Sequence, residues 1–340
     1  VSLGGSGVFA YADKLVSVVM ESKDDAERDI PDSTFEESSL IYLTVGGKVT
    51  SIGKYAFRNA VGIKNLEFTA ANNFSVGESA FENSGIERVN IKNSPSSVEI
   101  GAKAFYSASS LTGFVSTAGK FSIGDFAFAR SGIKNLTFNA VGNESSSVGV
   151  GIATQANNLA EIAFNDASGS LVCEDGILYV VTESKKALAQ YPAGKKGAVL
   201  ILPEEVDKVN DYAFGGNGYL TTITVPQADR TVEFAANAFA EANEITLFAD
   251  ESKIGYYGTN VKAESIQSGF GGLSLKSAGS GRYAVTGYSG DADNIVIPGK
   301  ITVGGVDFYV VKIGRNAFEN NSTATEITIG SGVTEIEEYA

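Results

Sequence analysis

Carboxylates are the only abundant side chains in this sequence that could do acid–base chemistry. The 340 residues contain 40 Asp and Glu, no His, and a single cysteine, Cys173. Without His, Ser-His-Asp and Cys-His catalysis and every His-ligated metal site are excluded. Two carboxylates can hydrolyse a glycosidic bond without His, so a glycan-processing enzyme stays open as a hypothesis.

Two acidic segments could instead hold a cation or a partner. Asp291-Ala-Asp293-Asn294 places oxygen ligands at alternate positions, as a Ca²⁺ loop does, but lacks the Gly and the distal Glu of that motif. The run from Glu21 to Asp32 fits a solvated helix face or loop. With Cys173 expected to act as a small buried hydrophobe, we predict no catalytic residue, no metal and no cofactor.

Charge and hydropathy exclude two classes of partner. Lys and Arg number 26 against 40 acidic residues, for a net charge of −14, and the basic residues do not cluster. Nucleic acid is therefore excluded as a partner, and an anionic membrane surface is disfavoured. No apolar stretch approaches the ~20 residues of a membrane span, so we predict no membrane insertion of this chain. We expect a soluble monomer.

An internal repeat must position whatever residues do act. The segment Val49-Thr-Ser-Ile-Gly-Lys-Tyr-Ala-Phe57 recurs so that Phe57, Phe81, Phe105 and Phe128 are separated by 24, 24 and 23 positions. Later copies end at Phe214, Phe239 and Phe318. A unit of this size cannot bury its own apolar side chains and is stable only when stacked on its neighbours.

Each copy has a second half that predicts a β-strand. The first copy continues with Ile63, Leu66 and Phe68, and Leu66-Glu67-Phe68 alternates apolar and polar residues as a half-buried strand does. We predict a repeat solenoid, leucine-rich-repeat-like, of mostly short parallel β-strands with short helical or 3₁₀ turns, interrupted by β-hairpin insertions. On each turn the Phe points inward and the preceding Ala allows close approach of the next unit.

A glycine at a fixed place in the repeat predicts a special backbone conformation. It is present as Gly53, Gly77, Gly101, Gly124, Gly149 and Gly314. Glycine at such a place indicates either a positive φ or a close backbone approach. Asn210 takes the position in a later copy, which favours the positive φ because Asn adopts it more readily than most residues.

The outward strand positions form the candidate site. They are predicted to make a polar, Asn- and Thr-rich stripe across parallel strands. The stripe consists of Tyr42, Asn65, Glu67, Arg88, Asn90, Asn135, Thr137, Glu161, Asn165, Thr222 and Thr224. It is either a binding face for protein or glycan, which Arg88 could anchor, or a solvated sheet face with no function.

The pattern V-x-x-I-G-x-x-A-F followed by L-x-x-I-x-I/F resembles the BspA-like leucine-rich repeats. The resemblance runs from about Ser38 to Ala340, and Glu174-Asp-Gly-Ile-Leu-Tyr179 is similar to the hairpin insertion of that family. It implies a bacterial protein that is secreted or held at the cell surface, with roles in adhesion and in contact with host or neighbouring-cell proteins or glycans. It carries no catalytic motif.

The predicted organisation follows from where the repeat is interrupted. We expect a capping segment at 1–37, with a helix between Tyr11 and Asp29, then repeats at 38–168, a hairpin insertion at 169–202, further repeats at 203–249, a linker at 250–272 and a second block at 273–340. The second block stops one residue before its expected Phe, so we expect the repeat to continue beyond Ala340 and any secretion signal to precede Val1.

Three functions follow from this sequence. The first is a non-enzymatic extracellular binding or adhesion protein that uses the solenoid surface. The second is a purely structural spacer of a larger surface protein, and the third is the glycan-processing enzyme, which would need two carboxylates about 5–10 Å apart in a cleft.

Overall fold

Short β-strands form nearly all of the regular structure. A computed structural model describes residues 4–22, 26–183, 185–225, 231–249, 253, 256–258, 265–268, 272–279, 282–288, 290, 292–303 and 306–340. Within these residues α-helical backbone is confined to 256–258. The chain divides into unit 1 (Val1–Lys196, Val209–Gly218 and Asn237–Ala242) and unit 2 (Gly197–Lys208, Tyr219–Ala236 and Asn243–Ala340).

The strands that precede residue 197 are β1 (Ser17–Met20), β2 (Glu27–Ile30), β3 (Tyr42–Val45), β4 (Lys48–Ile52), β5 (Asn65–Val76), β6 (Arg88–Ile91), β7 (Ser97–Ile100), β8 (Gly113–Ala118), β9 (Lys120–Ile123), β10 (Asn135–Ala140), β11 (Ser147–Val148), β12 (Ile162–Asp166), β13 (Leu171–Glu174), β14 (Ile177–Thr182) and β15 (Lys185–Gln190). The strands that follow it are β16 (Val199–Ile201), β17 (Val206–Val209), β18 (Thr222–Val225), β19 (Glu233–Phe234), β20 (Thr246–Ala249), β21 (Ser265–Ser268), β22 (Leu273–Gly279), β23 (Arg282–Tyr288), β24 (Asn294–Ile297), β25 (Lys300–Val303), β26 (Val306–Ile313), β27 (Glu326–Ile329) and β28 (Glu335–Ile336).

Two parallel arrays of strands enclose the interior of unit 1. Strands β5, β6, β8, β10 and β12 form one array, the front sheet, and β2, β4, β5, β7, β9 and β11 form the other, the back sheet. The long strand β5 contributes its first residues to the front sheet and its last residues to the back sheet. Each strand pairs with its counterpart one repeat along the chain, which confirms the predicted parallel solenoid. We call one such repeat a coil.

Stacked phenylalanine rings form the centre of unit 1. Phe57, Phe81, Phe105 and Phe128 lie one above another with ring centroids 4.9–5.1 Å apart and ring planes within 5° of parallel. All four side chains are fully buried. Burying one such side chain stabilises a fold by roughly 1.5–3 kcal/mol, and the stack gains this only because every coil supplies one ring.

The turn that carries each Phe is stabilised by two alternating kinds of hydrogen bond. The Phe57 N–H donates to the carbonyl of Ala80 in the next coil, at 2.7 Å. The Arg58 N–H donates back to the carbonyl of Tyr55, at 3.0 Å, in the 3₁₀ pattern. The alternation requires left-handed backbone two residues before and after the Phe, and Tyr55 and Asn59 both have φ of 59°. Non-glycine residues adopt this conformation here because both bonding patterns hold it.

The glycine before each turn is needed for close approach. None of the six glycines at this place has a positive φ. A Cβ on Gly77 would instead lie 2.6 Å from the backbone nitrogen of Lys54 in the preceding coil. The positive φ that we predicted at Asn210 is therefore wrong, because it is contact between adjacent coils that selects glycine.

The predicted helix between Tyr11 and Asp29 is wrong. Strands β1 and β2 lie in this segment, with residues 23–25 outside the described part of the chain. Strand β1 pairs in parallel with β3, placing Val18 opposite Leu43. Two further rings, Phe9 and Phe35, extend the aromatic stack at centroid distances of 5.5 and 5.3 Å. The segment is strand because the backbone of β3 has unpaired groups that another strand satisfies.

Antiparallel strands interrupt the coils of unit 1 after β12. Strand β13 pairs with β14, and β14 pairs with β15, both antiparallel. Leu178, Tyr179 and Leu188 are fully buried, and Leu178 belongs to the apolar interior of the preceding coils. A β-hairpin insertion was predicted for this part of the chain.

Unit 2 contains a parallel sheet and a second block of strands. The parallel sheet, which we call the covered sheet, has the order β16-β18-β20-β21. In the second block β22 and β25 pair antiparallel with β23 and β26, while β24 pairs in parallel with β27. The block has its own apolar cluster, which includes Leu275, Val285, Ile297, Phe308 and Val310.

Candidate binding face

The outward side of the front sheet is a continuous polar surface, which we call the front face. Asn65, Arg88, Gly113 and Asn135 stand in register on four consecutive strands. The next outward row has Glu67 opposite Asn90 and Thr137 opposite Val115.

Most of the predicted site residues in unit 1 are open to solvent. The exposed ones are Tyr42, Asn65, Glu67, Arg88, Asn90, Asn135, Glu161 and Asn165. Thr137 is half-buried, and Tyr42 lies on β3 beside β1 rather than on the front sheet. The strand alternation predicted from sequence therefore places these side chains outward, while their role in binding stays a prediction.

Glu67 is the acidic residue at the centre of the front face. Its carboxylate accepts a hydrogen bond from Asn90 at 2.8 Å and pairs with Lys92 at 2.7 Å. Hydrogen bonds from Lys92 and then Asn90 hold the pKa of Glu67 below its ordinary value. The group is thus a fixed carboxylate whose charge Lys92 already balances.

Side-chain amides continue across the later strands. The Asn165 amide donates to the Asn139 side-chain oxygen at 2.8 Å, and Asn139 in turn donates to Thr117 at 3.4 Å. Asn139 and Thr117 were not singled out from the sequence. The signal for them was the alternation, which continues one outward position beyond Thr137 along β10.

A depression interrupts the front face at Gly113. This glycine occupies the register position between Arg88 and Asn135 and presents no side chain. The depression has a volume of about 640 Å³, within the range of small-ligand sites. Its lining consists of Asn65, Leu66, Glu67, Arg88, Val89, Asn90, Thr112, Gly113, Val115, Lys134 and Asn135.

The fold does not require glycine at position 113. Its φ is not positive, and an added Cβ would be 3.7 Å from the nearest heavy atom, the carbonyl oxygen of Asn135. Glycines of the close-approach class, such as Gly77, leave no such room. The sequence reasoning missed Gly113, Thr112, Val115 and Lys134; the signal for Gly113 was a glycine where other coils have Arg or Asn.

Two cations border the depression without an ion-pair partner among the described residues. Arg88 and Lys134 are both exposed, whereas the neighbouring Lys64 and Lys92 pair with Glu87 and Glu67. Because those two carboxylates are balanced by their own lysines, the depression has a local excess of positive charge. This contrasts with the net charge of −14 for the chain.

Thr222 and Thr224 were predicted to extend this face, and that prediction is wrong. Both are buried in unit 2, Thr224 completely. Thr224 stands in register between Ile201 and Phe248, and these two apolar side chains pack against the cluster of the second block. The outward side of this sheet is covered because its neighbours are apolar, which the threonines alone did not indicate.

Catalytic chemistry finds little support in the described residues. Glu67 is the one carboxylate that lines the depression, so the paired carboxylates of glycoside hydrolysis are not found there. Burial raises the pKa of the Cys173 thiol to about 11, which keeps it protonated at neutral pH.

Neither a metal-binding cluster nor a membrane-spanning helix is found in the described part of the chain. The described chain contains no cluster of three or more Cys, Asp and Glu side chains arranged to hold a metal ion. Of the segment Asp291-Ala-Asp293-Asn294, which resembles a calcium loop in part, Asp291 lies outside the described residues. No helix in the described ranges is long and apolar enough to cross a membrane.

Comparison with family models finds one match. The model described as "BspA type Leucine rich repeat region (6 copies)" matches residues 28–148, 196–267 and 294–340. No curated protein matches the chain.

Several solved structures are similar to this chain at low sequence identity, and the first of them shares its fold. A leucine-rich repeat protein from Eubacterium ventriosum ATCC 27560 has a TM-score of 0.51 at 16% identity, over 95% of this chain and 87% of that one. A leucine-rich cell surface protein from Faecalibacterium prausnitzii A2-165 has a TM-score of 0.38 at 14% identity, over 92% and 83% of the two chains. The pneumococcal vaccine antigen PcpA has a TM-score of 0.41 at 14% identity, over 97% and 74%.

Proposed function

Because the chain belongs to the BspA-type leucine-rich repeat family, we propose that it is a non-enzymatic binding protein of the bacterial cell surface. In this proposal the front face contacts proteins or glycans of a host or of neighbouring cells. The location is the one expected of a BspA-type leucine-rich repeat protein.

One observation carries the proposal. The front face is a set of in-register polar side chains, and it includes two exposed cations, Arg88 and Lys134, that have no ion-pair partner among the described residues. Exposed charged side chains of a solvated surface commonly pair with opposite charges at little energetic gain, as Lys64 and Lys92 do here. Unpaired cations beside a depression fit a surface that meets a ligand.

The test is saturable binding that depends on the front face. Immobilised chain is titrated with extracellular matrix proteins and with a panel of glycans. Val115→Glu places a larger, negatively charged side chain in the middle of the front face, and we expect it to weaken binding at least tenfold. Ser122→Glu makes the same change at an exposed position of the back-sheet strand β9 and should leave binding unchanged.

A purely structural spacer predicts the opposite result. If no matrix protein or glycan binds saturably, or if both variants bind as the original chain does, the front face is a solvated surface and the binding proposal is refuted.

A further inference from the structure

We infer that the depression at Gly113 is a subsite for a carboxylate-bearing sugar, such as a uronic or sialic acid residue of a glycan. This inference rests on the proposed binding function and narrows it to one place and one ligand chemistry. It begins from the two cations. Arg88 and Lys134 line the same depression from β6 and from the residue that precedes β10.

The charge at the site selects an anion. Within the depression Glu67 is balanced by Lys92 and is held by Asn90, which leaves Arg88 and Lys134 in excess. An Arg guanidinium matches the planar geometry of a carboxylate with two parallel hydrogen bonds. Charges farther away than roughly 8 Å are largely screened at physiological ionic strength. Glu161, which comes one residue before the β12 partner of Leu136, is a carboxylate on the same face, and Arg88 and Lys134 outnumber it.

The remaining lining matches a hydroxylated ring. Asn65, Asn90 and Asn135 each offer an amide with both donor and acceptor atoms, and Thr112 adds a hydroxyl. Adjacent sugar hydroxyls need such mixed donor and acceptor groups. Val115 is exposed and gives an apolar contact for the C–H face of the ring. The volume of about 640 Å³ is sufficient for one sugar residue and part of the next.

The topology disfavours an acidic peptide as the occupant. An extended peptide gains affinity by adding to an unpaired strand edge. The depression lies instead across β6, β8 and β10, which are interior strands in the sheet order β5-β6-β8-β10-β12. None of the three is an edge strand to which a peptide could add, so side chains must make most of the contacts, and these are the amides and cations that suit a sugar acid.

Gly113 provides the space for a ligand, because it has no side chain to fill the depression. Gly113 stands where the adjacent strands have Arg88 and Asn135, and an added side chain would meet its nearest atom at an ordinary 3.7 Å. Gly113→Leu should therefore fold normally and fill the depression. Lys14→Gln, at an exposed lysine outside the front face, is the matched charge control for Arg88→Gln and Lys134→Gln.

The experiment titrates the full chain with trigalacturonate and with sialyllactose, which distinguish a uronic acid from a sialic acid. The methyl ester of trigalacturonate, lactose and a hexaglutamate peptide are the comparison ligands. We expect at least one acidic saccharide to bind saturably, and the ester or lactose to bind at least tenfold more weakly. Arg88→Gln and Gly113→Leu should each lower affinity at least tenfold, Lys134→Gln several-fold, and Lys14→Gln not at all, with unchanged melting temperatures.

Three results would overturn the inference. They are failure of both acidic saccharides to bind, equal binding of the neutral counterparts, and binding of hexaglutamate with the same sensitivity to Arg88→Gln and Gly113→Leu. If both saccharides fail while a matrix protein still binds and loses affinity with Val115→Glu, the subsite is refuted and the proposed function stands. If Val115→Glu changes no binding at all, the proposed function fails as well.

Discussion

The front sheet of unit 1 and the covered sheet of unit 2 are built from the same strand motif, yet one faces solvent and the other does not. In both sheets the inward residues are aliphatic or aromatic, such as Leu136 and Phe138 in one and Ile223 and Val225 in the other. The outward rows differ. The front sheet presents Asn, Glu, Arg and Thr, whereas the covered sheet places Ile201 and Phe248 on either side of Thr224.

This difference shows that the outward-facing residues of its strand determine what a coil can contact. Ile201 and Phe248 pack, partly buried, against the apolar cluster of the second block. Complete burial of such a side chain stabilises by roughly 1.5–3 kcal/mol, and partial burial contributes a share of that. The amides and charges of the front face would lose hydration under the same covering and gain no apolar contact. A solenoid can therefore direct one face to packing and another to solvent or a ligand without changing its interior.

The strongest test of this comparison places a charge at equivalent positions of the two sheets. Thr224→Asp should lower the free energy of unfolding by at least about 3 kcal/mol, because an unpaired carboxylate would be buried. Thr137→Asp, at the corresponding front-sheet residue, should change it by less than about 0.5 kcal/mol. Urea denaturation of both variants gives the two values. Equal losses would mean that the two sheets do not differ in covering.

The second test compares two glycines of unit 1. Gly77→Ala should destabilise by about 1–3 kcal/mol, since its Cβ would overlap the Lys54 backbone at 2.6 Å. Gly113→Ala should be neutral or should stabilise by up to about 1 kcal/mol, because the site has room and the unfolded chain loses freedom. Thermal melting of the two variants measures both stability changes. A loss at Gly113 as large as that at Gly77 would show that its glycine has a structural role.

A third test removes a buried polar atom from the covered sheet. The Thr224 hydroxyl is buried and has no hydrogen-bond partner among the described residues. Thr224→Val keeps the shape and should raise the free energy of unfolding by about 1 kcal/mol. Thr137→Val on the front sheet is the control, and we expect no measurable change there. Chemical denaturation that shows destabilisation by Thr224→Val would mean that the hydroxyl is hydrogen-bonded.

The smallest expected effect lies within the front face. Asn165→Ala removes the hydrogen bond to Asn139 at 2.8 Å and should cost about 0.5 kcal/mol, because the bond is exposed. Asn135→Ala, at an exposed amide without such a bond to any described residue, should cost less. Melting temperatures measured side by side distinguish the two, and a larger loss for Asn135→Ala would contradict the assigned amide pairing.

Local pattern was sufficient to predict much of the fold. The spacing of Phe57, Phe81, Phe105 and Phe128 predicted the aromatic stack, and the alternation at Leu66-Glu67-Phe68 predicted which side of each strand is buried. The stack was predictable because a repeat of nearly constant length brings the same turn position of successive coils together. The alternation was predictable because strand geometry fixes side-chain direction at a period of two residues. The alternation fails at Thr222 and Thr224, where the period was right but the covering layer comes from residues further along the chain.

The N-terminal segment shows a second limit of prediction from local sequence pattern. Leu15, Val18 and Val19 fit a helix face by spacing, yet Val18 and Val19 lie on a strand that pairs with β3. The backbone groups of β3 that β1 pairs with are in place only once the coils have assembled, so local propensity does not predict this pairing. The same holds for Gly113, whose depression exists only because Arg88 and Asn135 stand beside it on other strands.

The sequence by itself determined the repeat, the inward residues, the parallel strands and the absence of histidine chemistry, since each is fixed by residue type and spacing along the chain. Tertiary structure alone decided which outward rows face solvent, and which glycines are required by contact with the next coil and which have room for a side chain. It also decided where Arg88 and Lys134, unpaired among the described residues, border the depression. Those properties depend on residues one or more coils apart, and their register is set only when the coils stack.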